Sequence, residues 1–193
     1  MKVNLNQVNS IIFFLMMSMS FSCSKRAREY SYGFWQEKDS VPSSYILRKV
    51  QYEKDHRTDL IFSSKDMKGP FKQVNKEKYV ARKDGLDRLI TKGDSIIKKP
   101  YLTIANDNCI EFLFDNGMDD VLATTLCFLG QENIFIGNKE YKDVYKFKKR
   151  QGMLDGVESI AYYDTDFILL KEEFASGYAD EYRIVRLDTL PRL

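Results

Sequence analysis

From Tyr141 to Leu187 the chain alternates in character and reverses too quickly for anything but antiparallel return. Tyr141, Tyr145 and Phe147 fall on one face of a first segment. Lys142, Lys146 and Lys148 fall on the other, with Val144 among the lysines. Side chains of an extended strand point alternately to two faces, so this is the pattern of a sheet with one face toward a core. Val157–Tyr163 and Phe167–Glu173 are separated only by Asp164-Thr165-Asp166, and Ser176-Gly177 turns the chain again before Glu181–Leu187. A parallel crossover needs a dozen or more residues, and none of these connections has them. The C-terminal third is therefore predicted to be an antiparallel meander.

The preceding sequence extends the same theme. Tyr45–Glu53 alternates, with Ile46, Val50 and Tyr52 on one face and Arg48 among them. Lys54-Asp55-His56-Arg57 reads as a turn into a short strand at Thr58–Ser63. Lys65–Lys76 reads as a loop around Gly69-Pro70. Glu77–Ile90 is ambiguous: Leu86, Leu89 and Ile90 have helical spacing after Asp84, whereas Gly85 weakens a helix. Lys92-Gly93-Asp94 reads as a turn and Ser95–Lys98 as a strand ending at Pro100. Asn106-Asp107-Asn108 and Asp115-Asn116-Gly117 read as reversals, and Thr124 and Thr125 favour a strand over Val121–Leu129. Aromatic residues make up 13% of the chain, which suits pleated, half-buried surfaces. The expected fold class is mainly β, with antiparallel sheets as a sandwich or twisted meander and at most one short helix. The expected globular domain is residues 45–193, preceded by a polar tether at 23–44. Tyr30, Tyr32, Phe34 and Trp35 are out of place in a free linker. They dock on the domain or mark an early edge strand.

Ahead of the tether, Lys2 is the only charge before Lys25, and Ile11–Phe21 is apolar. As a helix this run reaches about 16 Å, roughly half a hydrocarbon core, so residues 1–22 are read as an export signal rather than a span. The closing Ser20-Phe21-Ser22-Cys23 resembles the lipobox of bacterial lipoproteins. It departs from that pattern in Ser20 for Leu and in the bulky Phe21. The resemblance implies cleavage before Cys23, with Ser20 and Ser22 as the flanking small residues, a diacylglycerol on the Cys23 thiol and acylation of the new amine. Lys25, Arg26 and Arg28 oppose translocation, which leaves an uncleaved anchor as the alternative. Gly93-Asp94-Ser95-Ile96-Ile97-Lys98, with Tyr52-Glu53-Lys54-Asp55-His56, resembles small exported bacterial lipoproteins over residues 45–115. That resemblance implies a location and no activity.

The chemistry on offer is narrow. A formal net charge of +2 gives no electrostatic case for nucleic acid. His56 is the only histidine, and no G-x-S-x-G elbow accompanies it. Glu53, Asp55, His56 and Asp59 lack a recognised ligand spacing, and Asp115–Asp120 matches a calcium loop only in composition. No metal, cofactor or catalytic residue is predicted. Cys109 and Cys127 form an even pair that would permit a disulfide in an oxidising compartment, while the apolar neighbours of Cys127 favour a small buried hydrophobe. Lys146, Lys148, Lys149 and Arg150 are the densest basic run. They are candidates for meeting anionic lipid, lipopolysaccharide or peptidoglycan, against the alternative of a solvated face. The expected role is a lipid-anchored cell-envelope module facing the periplasm or cell surface. It binds without catalysis, held to the membrane by its N-terminal lipid, with an envelope protein or glycan as partner. The alternatives are an envelope hydrolase using Asp164 and Asp166, and a toxin-inhibiting lipoprotein of the immunity type.

Overall fold

The computed structural model describes residues 27–36, 39–105, 109–115, 121–152, 156–176 and 181–187. The leader with Ser20, Ser22 and Cys23 lies outside them, as do the reversals at 106–108, 116–120 and 177–180. The strands are β1 (Ala27–Gln36), β2 (Ser44–Tyr52), β3 (Arg57–Ser64), β4 (Lys72–Arg82), β5 (Gly85–Lys92) and β6 (Ser95–Thr103). They continue with β7 (Cys109–Asp115), β8 (Val121–Ile136), β9 (Lys139–Gln151), β10 (Val157–Tyr163), β11 (Leu169–Ser176) and β12 (Tyr182–Leu187). No helix occurs among the described residues.

The twelve strands form one sheet in the order β6-β5-β4-β3-β2-β1-β12-β11-β10-β9-β8-β7, each pair antiparallel. The meander runs from β1 to β6 and again from β7 to β12, and β1 and β12 meet through six rungs from Ser31↔Leu187 to Gln36↔Tyr182. The sheet curls into a nearly closed barrel. Its two edges, β6 and β7, approach through side chains rather than a ladder. Tyr79, Leu86 and Leu102 of β4–β6 share one cluster with Leu126, Phe147, Ala161 and Tyr163 of β8–β10. Buried apolar area drives this closure, at roughly 25 cal/mol per Å². A second cluster joins Tyr30, Tyr32, Val50 and Ile168, and a third joins Ile136, Val144 and Leu170.

Several expectations change. The stretch read as tether contains β1, which lies inside the sheet between β2 and β12 rather than at an edge. Tyr30 and Tyr32 are buried core, with the Tyr32 hydroxyl donating to the Leu169 carbonyl at 2.9 Å, while Phe34 and Trp35 are half-buried. The helical spacing of Leu86, Leu89 and Ile90 is overridden. Lys83 and Asp84 make a turn, and Gly85 opens β5. Gly85 is required by proximity: a Cβ there would lie 2.1 Å from the Leu102 carbonyl oxygen of β6. Gly85→Ala is expected to push β5 from β6 and cost about 1–3 kcal/mol, measured by urea unfolding. β6 runs through Pro100 because it is an edge strand with a register shift opposite, between Leu86 and Asp87, where a missing N–H is tolerated.

Val144 keeps the face of Lys146 but is buried there. Asp143 adopts φ 53° and its amide donates to the Asn133 side chain. The ladder slips between Glu132 and Ile134, and Val144 packs at zero exposure with Ile136 and Leu170, beside Tyr162 and Val185.

Cys127 is not a lone hydrophobe. It sits directly opposite Cys109 across β7–β8 and the two are bonded, with Cα atoms 4.0 Å apart. The bond staples the edge strand β7. Reduction, or the double change Cys109→Ala/Cys127→Ala, is expected to lower stability by about 3 kcal/mol for a loop of this size. Denaturant midpoints with and without dithiothreitol test this.

Candidate functional site

A concavity lies at one end of the barrel. The β2–β3 turn, the β4–β5 turn and the β10–β11 turn surround a cleft of about 390 Å³. That volume falls in the range of small-ligand sites. Val80, Leu86, Tyr145 and Phe167 supply apolar wall, and Tyr145 and Phe167 stack with centroids 5.1 Å apart. Tyr52 and Arg57, which face each other as the last rung of the β2–β3 hairpin, also line it.

Arg57 is held from three sides. Its Nη1 donates to the Asp166 carbonyl at 2.8 Å, its Nε lies 3.0 Å from Asp59 Oδ1, and its guanidinium sits 4.9 Å over the Tyr79 ring. The Nε–H does not aim at the Asp59 oxygen, so that contact is an ion pair rather than a hydrogen bond. Asp59 is fully buried and also accepts from Arg48 Nε at 2.8 Å and from Arg48 Nη2. Burial opposes the charge on Arg48, but Asp59 together with Tyr79, Tyr32 and Glu77 more than offsets it, so the guanidinium pKa lies well above its ordinary value. One carboxylate thus fixes two buried guanidinium groups.

Besides Arg57 Nε, which has its ion pair with Asp59, two side-chain donors of the Tyr52–Arg57 rung have no hydrogen bond. Arg57 Nη2 and the Tyr52 hydroxyl are buried without a hydrogen-bond partner. Burial, and secondarily Tyr30, push the Tyr52 hydroxyl up to about 12, so it stays protonated and able to donate. Buried donors normally have partners, and leaving one unmatched costs about 1–3 kcal/mol. A ligand that offers acceptors at the floor of this cleft would relieve both.

The rim is built from residues singled out in the sequence. His56 Nδ1 lies 2.8 Å from Asp55 Oδ1 and its Nε2 lies 3.5 Å from Glu53 Oε2. The histidine is held between two acids, while Asp59 lies in the barrel wall. Among the described residues no group of three or more His, Cys, Asp or Glu side chains is placed to hold a metal. Asp164 and Asp166 bound the β10–β11 turn. Asp164 Oδ1 accepts from the amides of Asp166 and Ile168, and Asp166 pairs with Arg28 at 2.9 Å. Both acids are engaged in holding the turn and its neighbours. Burial raises the Asp164 pKa above the ordinary aspartate value.

The basic run of β9 is divided between the two faces. Lys146 pairs with Glu132 at 3.2 Å and Lys148 with Glu158 at 3.0 Å. Lys149 faces the interior, 3.1 Å from Glu172 Oε1, which also accepts from Ser159 and Tyr182. Arg150, opposite Thr125 and Glu158, also has an interaction partner. The run is therefore largely compensated in place.

Arg57, Tyr52 and Arg82 of the cleft were not singled out from sequence. A signal existed: Arg48 shares a face with Ile46 and Val50, and Arg57 and Asp59 share one strand face with Ile61. A charge in the apolar phase of a strand marks a buried ion network, which is where an unmatched donor can survive. No protein-family model, curated protein or solved structure matches this chain.

Proposed function

We propose that this chain is an exported, lipid-anchored, non-catalytic binding module of a bacterial cell envelope, with the barrel-end cleft as its ligand site. The unmatched Tyr52 hydroxyl and Arg57 Nη2 carry the binding part of this reading. They favour a small ligand with an acceptor-rich polar end and an apolar body facing Val80, Leu86 and Phe167. The Cys109–Cys127 bond supports the export part, since such bonds persist in oxidising compartments. The leader ending at Cys23 supports the anchor.

Two measurements test the two parts separately. Cys23→Ala is expected to move the protein from the membrane to the soluble fraction, and retention in the membrane overturns the lipid anchor. Thermal-shift screening with small carboxylates and phosphate monoesters is expected to find a stabilising compound. Tyr52→Phe should weaken that compound about tenfold, the worth of one hydrogen bond. Equal affinity in the Phe variant removes the cleft from the reading.

A further inference from the structure

At the ends of β4 and β5 remote from the cleft, the sheet forks. The β4–β5 ladder runs from Arg82↔Gly85 to Lys78↔Leu89 and stops there. Beyond it, Lys72, Gln73 and Asn75–Glu77 of β4 pair only with β3, and Ile90–Lys92 of β5 pair only with β6. Two strand edges thus face one another without rungs across a gap of about 460 Å³, lined by Lys76, Lys78, Leu89, Ile90 and Thr91. At its base Glu77 and Arg88 form an ion pair at 3.2 Å. Exposed strand edges are templates for another strand, and proteins ordinarily cover or block them.

The charge around the fork is one-sided. The β4–β5 and β5–β6 registers place Lys76, Lys78, Ile96 and Lys98 on one outer face, while the register slip opposite Ile61 and Phe62 leaves Val74 as a bulged residue and takes Lys72 out of phase. Among the described residues none of these three lysines makes an ion pair, whereas the lysines of β9 and β11 do. Ile96 is 65% exposed beside these cations, and Ile97 on the opposite face of β6 is 39% exposed.

We propose that the β4–β5 fork is a docking site for an extended acidic peptide segment of a partner protein, which enters as an added strand. Its backbone would complete rungs on one or both edges over the three residues Ile90–Lys92, about 10 Å of strand. Its Asp or Glu side chains would lie on the face of Lys76 and Lys78, and its alternate, apolar side chains on the opposite face, beside Ile90 and Ile97. This surface is separate from the barrel-end cleft and stands or falls independently of it.

The test uses the full chain and dye-labelled peptides by fluorescence anisotropy. An alternating Glu–Val peptide is expected to bind, and binding should weaken with added salt. Lys76→Glu/Lys78→Glu should weaken it about tenfold or more, and Lys76→Gln/Lys78→Gln should weaken it less. A Glu–Val peptide N-methylated at alternate residues should not bind. Equal binding by the methylated peptide, or indifference to the lysine changes, overturns the proposal. So does a result in which vesicles of anionic phosphatidylglycerol bind through these lysines while the peptide does not. Sedimentation velocity covers the remaining occupant: dimerisation that the peptide cannot displace would assign the fork to a second copy and overturn it.

Discussion

Asp59→Ala is expected to destabilise the fold by about 3–5 kcal/mol, read as the change in unfolding free energy in urea. Asp59 has no exposed surface and its two oxygens face Arg48 and Arg57. The side chains of those arginines are 12% and 6% exposed. Removing the acid leaves two guanidinium groups in the barrel wall without a counter-charge, and an uncompensated buried charge is far more costly than the pair is favourable. Asp55→Ala is the control. That side chain is 85% exposed, and its removal should fall within about 0.5 kcal/mol despite its contact with His56. A loss below about 1 kcal/mol at Asp59 would mean that the arginine head groups reach water once the acid is gone. Loss of the same acid should also free Arg57 to move, so cleft ligands should weaken in parallel.

The second large effect is alkaline unfolding. Burial pushes the Tyr32 hydroxyl up to about 12. Burial raises Tyr79 and Tyr163 well beyond the ordinary tyrosine value of 10.0, with the neighbouring Tyr101 adding to both, and raises Tyr101 itself. These groups ionise near pH 10 in the unfolded chain and later in the folded one. Their effect is absent below pH 10, and stability falls as the pH rises past it. Tyr32 alone accounts for on the order of 2–3 kcal/mol by pH 12. Tyr79, Tyr163 and Tyr101 act in the same direction. Lys149 acts in the same direction. Burial opposes its charge, but Glu172 together with Tyr101 and Tyr182 more than offsets this, so its raised pKa gives stability that is lost as the pH climbs above it. Tyrosinate absorbance and the loss of β-sheet circular dichroism should therefore appear in one cooperative step. A smooth rise in tyrosinate with an unchanged sheet signal would contradict the buried-tyrosine interior. On the acid side Glu172 has the opposite sign. Burial opposes its charge, yet Lys149, Ser159 and Tyr182 hold its pKa below the ordinary 4.5, so its contribution is complete above that value and is lost as the pH falls.

For β2, β10 and β11, strand identity and direction were legible in the sequence, whereas β1, β4 and β5 were not. The alternation of Tyr45–Glu53 and Val157–Tyr163 and the brevity of Asp164-Thr165-Asp166 are local facts, and a short connection leaves antiparallel pairing as the only outcome. The face carrying Arg48 with Val50 was legible too, but its counter-charge was not. Asp59 comes opposite Val50 only because the β2–β3 turn spans Glu53–His56. One residue more or less would reverse which face it shares.

The sequence by itself determined the extended segments of the second strand and of the C-terminal third, their order and their sense. Tertiary structure alone decided that β1 and β12 meet, that the sheet curls until Leu102 and Leu126 share a cluster, that Cys109 finds Cys127, and that β4 and β5 part beyond Lys78. The reason is that a period of two is blind to which face turns inward and to which distant strand lies alongside. Those choices are made by curvature and long-range register, where many small packing terms compete, and no neighbouring residues encode the winner.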